Sequence, residues 1–288
     1  MEPEGYWVKA GPGYNPKYRS TLWSLILLAQ LGGSAQCDKR IRRACAYALD
    51  HAFGEGKFTL NGSPSGTIDC LQGNMCAALL ALGCDDPRLA EAFEWMARTV
   101  TGEGLAPNTE KGAPQRYYAS RCGPLFACGA NNGKPCAWDA VKVMLAFAAW
   151  PHERRTPLIT RAIGQGVEFL FSTDPAGAAY PTPTGGKPNA SWFRFGFPVF
   201  YVTDVLQTVE ALARLGIGHD VRLDSALRLV LGKQDAAGRW PLEYDYSGKT
   251  WVEFGNRHQP NPWVTIRALS TLRAADTSEI AQAASPTG

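Results

Sequence analysis

Charged residues are scarce in this chain, and the two signs nearly balance. Asp, Glu, Lys and Arg make up 19% of the 288 residues, and the net charge is +3. Lys and Arg form no stripe, although a nucleic-acid-binding surface would need one. The sequence therefore indicates no nucleic-acid partner. A hydrophobic content of 45% is typical of a soluble globular protein, and the length allows a sizeable core.

Long apolar runs are missing as well. None approaches the ~20 residues that a membrane-spanning helix needs, so we expect no integral membrane segment. Residues 1–6 lack the basic region and apolar core of a signal peptide. We therefore expect a cytoplasmic protein, whose eight cysteines are thiols, metal ligands or catalytic groups rather than disulfides. Nothing in the sequence indicates the oligomeric state.

A pair of helices recurs along the chain with a period of roughly 50 to 65 residues. The first helix of each pair is apolar nearly all round, as in a buried helix, and the second is amphipathic, as in an outer helix. The apolar helices are expected at 21–31, 70–82, 138–150, 204–215 and 263–272. This pattern predicts an all-α fold, an α/α toroid of about five helix pairs with an apolar inner ring and an amphipathic outer ring. An open superhelix is the alternative, but it would expose a concave face of apolar helices.

The same pattern predicts the domain organisation. Residues 1–18 are expected to be an irregular N-terminal segment, and residues 19–276 a single α/α-toroid domain. Residues 277–288 are small and polar, which predicts a disordered tail.

One turn in the fourth pair reads Gln-x3-Gly-x-Trp, at residues 234–240. Gly238 can adopt the positive φ that ends a helix, Gln234 can bridge helix ends, and Trp240 can clamp the turn. With the helix-pair repeat, this turn resembles the squalene-cyclase and protein-prenyltransferase superfamily over about residues 20–275. Segments 70–75, 233–243 and 263–269 are similar to uncharacterised bacterial squalene-cyclase-like proteins of about this length.

The resemblance implies a terpene-cyclase-like enzyme with a central apolar cavity. Its substrate would be a hydrophobic small molecule of the isoprenoid kind, and acid/base chemistry would drive cyclisation, isomerisation or hydration. The reaction rests on fold analogy alone, because the family's catalytic signatures are absent. The chain has no Asp-x-Asp-Asp and no Asp-Asp-x-x-Asp. Asp69 and Cys70 are adjacent, whereas the prenyltransferase zinc site separates them by one residue, and Gln72 lies one residue too early for a thioester domain.

In such a ring the inner helices run parallel, so their first turns would meet around the mouth of the cavity. This position nominates five acid/base residues, which are Asp139, Asp204, Asp69, Cys70 and Cys136. N-capping and compensation of the helix dipole are the alternative roles for the aspartates. The residues nominated for substrate binding are Trp138, Tyr201, Trp23, Trp263, Trp192 and His258. The aromatic rings would shelter a cation if they face the cavity, and core packing is the alternative.

Three cysteines, Cys122, Cys128 and Cys136, lie in a loop rich in Gly, Pro and Asn. With Cys70 on the adjacent inner helix they would form a tetrahedral metal site of four thiolates, in which His258 could replace one thiolate. The spacing C-x5-C-x7-C is not a familiar zinc spacing, so a reactive thiol and inert cysteines stay open. The expected cofactor is accordingly none or zinc.

Two other functions remain open from the sequence. One is a metal-dependent enzyme that uses the Cys-rich site, and the other is a non-catalytic toroid that binds a lipid or a protein. Segments 185–201 and 243–258 are too aromatic for plain linkers. Segment 243–258 is expected to act as a lid over the cavity or to close the ring by packing the last pair on the first. Segment 185–201 is expected to act as a lid or as a hydrophobic plug.

Overall fold

The computed structural model describes residues 1–106, 109–113 and 122–275. These residues are mostly helical, which confirms the all-α class. The α-helices are α1 (Thr21–Gln30), α2 (Lys39–Ala52), α3 (Asp69–Ala81), α4 (Arg88–Thr101), α5 (Ala137–Ala149), α6 (Pro157–Leu170), α7 (Val205–Leu212), α8 (Asp224–Leu231) and α9 (Pro262–Ala274). A π-helical turn, Ala213–Ile217, extends α7, and the two-residue strands β1 (Phe53–Gly54) and β2 (Lys57–Phe58) form an antiparallel hairpin.

The helices form two layers that follow the expected alternation. In one layer α3 packs against α1 and α5, and α7 packs against α5 and α9. Each of the even-numbered helices α2, α4, α6 and α8 packs on the preceding odd-numbered helix. The described residues therefore contain four complete pairs, followed by α9. The predicted tail, 277–288, lies outside the described residues.

The outer helices bury one face, as their sequence pattern predicts. In α6 the Thr156 hydroxyl accepts a hydrogen bond from the Ile159 N–H at 3.2 Å, and Pro157 occupies the first turn. These are strong signals for the start of a helix. Ile159 and Leu170 are buried on the inner face, while Gly164 has no atom within 4 Å of an added Cβ.

Helices α3 and α5 approach so closely that one position admits only glycine. A Cβ added at Gly73 would lie 2.3 Å from the backbone carbon of Lys142 and 2.6 Å from the Val143 nitrogen. This contact sets the spacing between the two helices and therefore the width of the space beside them.

The Gln-x3-Gly-x-Trp turn follows α8 but does not end it, because α8 already ends at Leu231 with Gly232 as its C-cap. Gly238 has a φ of 76°, and Trp240 is fully buried. The indole Nε1 of Trp240 donates to the Val230 carbonyl at 2.7 Å, which fixes the turn to the end of the helix. The Gln234 amide nitrogen lies 3.4 Å from an added Cβ at Gly238, so the glutamine packs across the turn.

Replacing Trp240 with Phe should lower the free energy of unfolding by about 1–2 kcal/mol, because the Val230 carbonyl loses a buried donor. Urea denaturation followed by circular dichroism measures this loss. Trp251→Phe is the control, since that side chain is half-exposed and its loss should be smaller. Equal losses in the two variants would show that the indole hydrogen bond of Trp240 does not stabilise the turn.

Residues 1–20 contain no helix or strand and pack onto the helical core. Tyr14 is buried, and the Gly13 carbonyl accepts hydrogen bonds from the Ser20 hydroxyl at 2.6 Å and the Leu22 N–H at 3.0 Å. Across the described residues, no helix combines the length and the apolar character that crossing a membrane requires.

Candidate functional site

A cavity of about 590 Å³ lies between the five odd-numbered helices. Every one of these helices contributes to its wall, together with the segment that precedes α7. The lining residues are Ile26, Ala29, Gln30, Asn74, Ala77, Ala78, Leu80, Ala81, Lys142, Leu145, Ala148, Ala149, Phe197, Val199, Gln207, Glu210, Arg214, Ile266, Arg267 and Ser270. We call this cavity the five-helix pocket.

The five-helix pocket takes its space from small side chains. Helix α3 contributes Ala77, Ala78 and Ala81, and α5 contributes Ala148 and Ala149. These alanines lie in the second halves of their helices, where a larger apolar residue would fill the cavity. The α3 and α5 parts of the wall are therefore apolar at this end of the helices and leave the cavity wide, while Gln30, Arg214 and Ser270 supply polar groups from the other helices.

Lys142 is the most unusual residue of the pocket wall, because it is a lysine with 1% exposure in a helix whose other residues are apolar except Asp139. Its ammonium nitrogen donates to the Gln207 side-chain carbonyl. Burial lowers the pKa of Lys142 to about 7, opposed by the charge of Asp204 and assisted by that of Arg267. Lys142 therefore exchanges its proton near neutral pH.

The other charged groups of the pocket occur in pairs. Arg267 meets Asp204 at 3.2 Å and also donates to the Gly196 carbonyl, while Arg214 meets Glu210 at 3.3 Å on α7. Asp204 is the N-cap of α7, since its carboxylate accepts from the Gln207 N–H at 2.8 Å. The capping alternative for Asp204 is thereby confirmed.

A second cluster of reactive groups lies at the first turns of α3 and α5. One sulfur each from Cys128 and Cys136 and one oxygen from Asp139 all lie within 4.8 Å of one another. Cys136 is the N-cap of α5 and Asp139 lies in its first turn, so both are held by the start of the same helix. We call these three residues and their neighbours Asp69, Cys70 and Cys122 the Cys/Asp cluster.

The members of the Cys/Asp cluster raise one another's pKa, because they are buried and would carry the same sign of charge. Burial raises the pKa of Asp69 to about 8, and the Cys128 charge adds to this. Burial also raises the pKa of Asp139 well above its usual range, with contributions from Cys128 and Asp69. Cys128 is the exception: hydrogen bonding from Cys136 and from nearby N–H groups lowers its pKa to about 6.

Cys70 and Cys122 complete the surroundings of this cluster. The Cys70 thiol interacts with the Asp139 carboxylate, and burial holds its pKa well above the usual range. Cys122 is fully buried, and the charges of Asp69 and Asp139 add to the effect of burial on its pKa. Of the four cysteines predicted as metal ligands, Cys128 and Cys136 therefore lie within 4.8 Å of an Asp139 oxygen, and Cys70 and Cys122 lie in the same neighbourhood.

The aromatic residues nominated for substrate binding lie elsewhere. Trp23 is fully buried in an aromatic cluster, with ring centroids 4.9 Å from Tyr201 and 5.3 Å from Phe200. Trp263 stacks on Phe197 at 5.0 Å. Trp192 is buried beside Tyr180. Trp138 is half-buried on α5, and His258 is exposed.

These placements change one expectation from the sequence. The first turns of the inner helices do not surround the mouth of the five-helix pocket, and no residue nominated as catalytic or substrate-binding lines it. Asp69, Asp139 and Asp204 are instead buried, with 0 to 3% exposure. The reason is that the aromatic residues before α1 and α7 fill that end of the helices. His258, exposed on its loop, is not part of the Cys/Asp cluster.

Sequence reasoning missed the polar groups of the pocket, although one signal was present. Lys142 is the single charged residue between Val141 and Ala149, in an apolar stretch of helix. A lysine is almost never fully buried unless its charge is paired. The alanine-rich second halves of α3 and α5 are the corresponding signal for the cavity itself.

No model of a known protein family matches this chain. No curated protein is similar to it in sequence either. The resemblance to the squalene-cyclase superfamily therefore stays a prediction.

Proposed function

We propose that this chain is an enzyme of the α/α-toroid kind that binds a hydrophobic small molecule in the five-helix pocket and acts on it by acid/base chemistry. The observation that carries the proposal is that one cavity is lined by all five helices assigned to the inner ring from the sequence. Its volume, about 590 Å³, falls within the range of small-molecule sites. Cyclisation, isomerisation and hydration are the reaction classes that fit an apolar substrate.

Contacts between distant parts of the chain support a closed ring of helices. Gln30 on α1 exchanges two hydrogen bonds with the Val199 backbone, at 2.7 and 2.8 Å. Arg267 on α9 donates to the Gly196 carbonyl of the same segment. This segment therefore bridges α9 and α1, which are the last and first inner helices of the proposed toroid.

For the chemistry we propose Lys142 as the group that transfers a proton at the pocket wall. A proton-transfer group works best when its pKa is near the working pH, and Lys142 has a pKa of about 7. Gln207 holds the amine at the wall through its side-chain carbonyl. The aspartates nominated from the sequence are less suited to this role, because none of them lines the pocket.

Ligand binding tests the pocket. N-phenyl-1-naphthylamine, an uncharged fluorescent hydrophobe, should bind the wild-type protein, and Ala148→Trp should weaken binding at least tenfold by filling the cavity. Ala90→Trp is the control, since Ala90 is exposed on α4 and outside the pocket. Fluorescence titration gives the affinities, and circular dichroism confirms that both variants fold. Equal binding by all three proteins would refute the pocket.

Isotope exchange tests the chemistry and does not require the substrate to be identified first. Each proposed reaction delivers a proton to carbon, so wild-type protein incubated in D2O with non-polar lipids of its producing cells should introduce deuterium into one lipid. Lys142→Met should abolish the incorporation and still bind the fluorescent hydrophobe. Mass spectrometry of the extracted lipids reports the result. Binding without any incorporation would favour the non-catalytic lipid-binding alternative.

A further inference from the structure

We propose that Cys128, Cys136 and Asp139 bind one transition-metal ion, which the chemistry of the donors indicates is zinc. This inference goes beyond the proposed function, because the site does not line the five-helix pocket. It also revises the set of four cysteines expected from the sequence, since Asp139 joins Cys128 and Cys136, while Cys70 and Cys122 are outside the group of donors.

The donor atoms lie close enough together to share one ion. The sulfurs of Cys128 and Cys136 and an Asp139 oxygen lie within 4.8 Å of one another. Ligands around a tetrahedral zinc ion are separated by roughly 3.8 Å, given Zn–S bonds of about 2.3 Å. The three donors therefore surround a space of suitable size and need only a small inward movement to bind an ion.

A second observation, independent of these distances, is that a buried carboxylate oxygen lacks a hydrogen-bond partner. Asp139 is 3% exposed, and its Oδ2 atom has no hydrogen-bond partner among the described residues. A buried carboxylate oxygen without a hydrogen-bond partner is destabilising, and a bound cation would remove that cost.

Two lysines act on members of the cluster, and each is engaged by another residue. Lys142 acts on Cys70 and donates to the Gln207 side-chain carbonyl. Lys57 favours the ionised form of Cys122. Its ammonium is 3.2 Å from the Glu55 carboxylate and 3.0 Å from the Glu55 carbonyl, so it is already engaged by that residue. A divalent ion would balance two negative charges of the cluster. These are the thiolates of Cys128 and Cys136, or one of these thiolates and the Asp139 carboxylate.

The loop that carries two of the donors is braced before any ion binds. An antiparallel bridge joins Ala127 and Pro135, and the Cys136 N–H donates to the Phe126 carbonyl at 2.8 Å. The Asn131 amide donates to the carbonyls of Pro135 at 2.6 Å and Pro181 at 3.0 Å. The loop is therefore held in the fold that brings Cys128 back to the start of α5.

The donor set indicates the type of ion. Thiolates select zinc and other soft transition metals over magnesium or calcium. Cys128, Cys136 and Asp139 supply three ligands of a tetrahedral site. Cys70, in the first turn of the neighbouring helix α3, acts on the Asp139 carboxylate but is not among the donors that lie within 4.8 Å of one another.

Elemental analysis tests the proposal. Untagged protein purified without chelator should contain about one zinc ion per chain. Protein stripped of metal under reducing conditions should bind Co²⁺ and show the charge-transfer absorption of thiolate ligands. Cys128→Ser, Cys136→Ser and Asp139→Asn should weaken binding at least about 100-fold. Cys37→Ser, at an exposed position, and Cys76→Ala, at a buried position away from the cluster, should retain the ion.

Two results would overturn the proposal. One is reduced wild-type protein that folds normally yet contains no metal and takes up neither Zn²⁺ nor Co²⁺. The other is an intact mass showing that Cys128 and Cys136 form a disulfide in protein kept under reducing conditions. The Co²⁺ titration of wild-type protein decides the matter even if a cysteine variant fails to fold, and neither result depends on the five-helix pocket.

Discussion

Replacing Lys142 with Met should stabilise the protein at pH 7, and the gain should shrink as the pH rises to 10. Burial lowers the pKa of Lys142 from 10.5 to about 7 in the folded state. The unfolded chain therefore binds the proton more tightly, so the contribution of Lys142 to stability increases with pH between about 7 and 10.5 and is least favourable below pH 7. The change between pH 7 and 10 is roughly 3–4 kcal/mol, at 1.36 kcal/mol per pKa unit.

Urea denaturation of both proteins at each pH measures this effect. The difference between wild type and variant isolates Lys142, because every other titrating group is common to the two. Lys39→Met is the matched control, since Lys39 is exposed at the start of α2, and it should change the free energy by no more than about 0.5 kcal/mol at any pH. A constant difference between wild type and Lys142→Met across the pH range would show that the Lys142 pKa is not lowered. The ¹³Cε resonance of Lys142 gives that pKa directly.

Gly73→Ala should destabilise the protein by roughly 3 kcal/mol or more, because the new methyl group would overlap backbone atoms that cannot move aside. Its Cβ would lie 2.4 Å from the Lys142 carbonyl oxygen. Helices α3 and α5 would have to separate, which also displaces the wall of the five-helix pocket. Thermal and urea denaturation measure the loss.

Gly164→Ala is the control for this substitution. Gly164 lies inside α6 with open space around an added Cβ, so alanine should stabilise the protein by up to about 1 kcal/mol through helix propensity. Opposite signs for the two glycines would confirm that the contact between α3 and α5 decides the effect. A loss below about 0.5 kcal/mol for Gly73→Ala would contradict the close approach.

The helices were predictable because their patterns are local. Apolar residues on all sides of α3 and α5, and one apolar face on α6, define their positions in the two layers without reference to the rest of the chain. The turn at Gly238 was predictable for the same reason, since its positive φ and the indole of Trp240, which donates to the Val230 carbonyl at the end of α8, depend on residues close together in the chain.

The location of the pocket was not predictable from those patterns. Periodicity indicates which helices are inner, but not which of their ends is filled by loops from elsewhere in the chain. Here Tyr18, Phe200 and Tyr246 pack around Trp23, with the Tyr18 and Tyr246 rings 4.6 Å apart. That aromatic cluster occupies the end at which the sequence suggested a cavity mouth.

The Cys/Asp cluster was predictable only in part. The loop cysteines were recognisable because cysteines in a Gly/Pro/Asn loop do not serve as core residues. The sequence did not indicate that Asp139 belongs to the metal site, because a position in the first turn of α5 is equally typical of dipole compensation. Only the fold of the loop between Ala127 and Pro135 brings Cys128 within reach of that carboxylate.

The central claim is that five inner helices enclose a pocket for a hydrophobic molecule. A crystal structure of the protein grown with 1-bromooctane tests it most directly, because the anomalous scattering of bromine gives the position of that atom directly. The account predicts a bromine site between α3 and α5, beside Ala77 and Ala148. A centre filled with side chains, and bromine only on the outer surface, would contradict it.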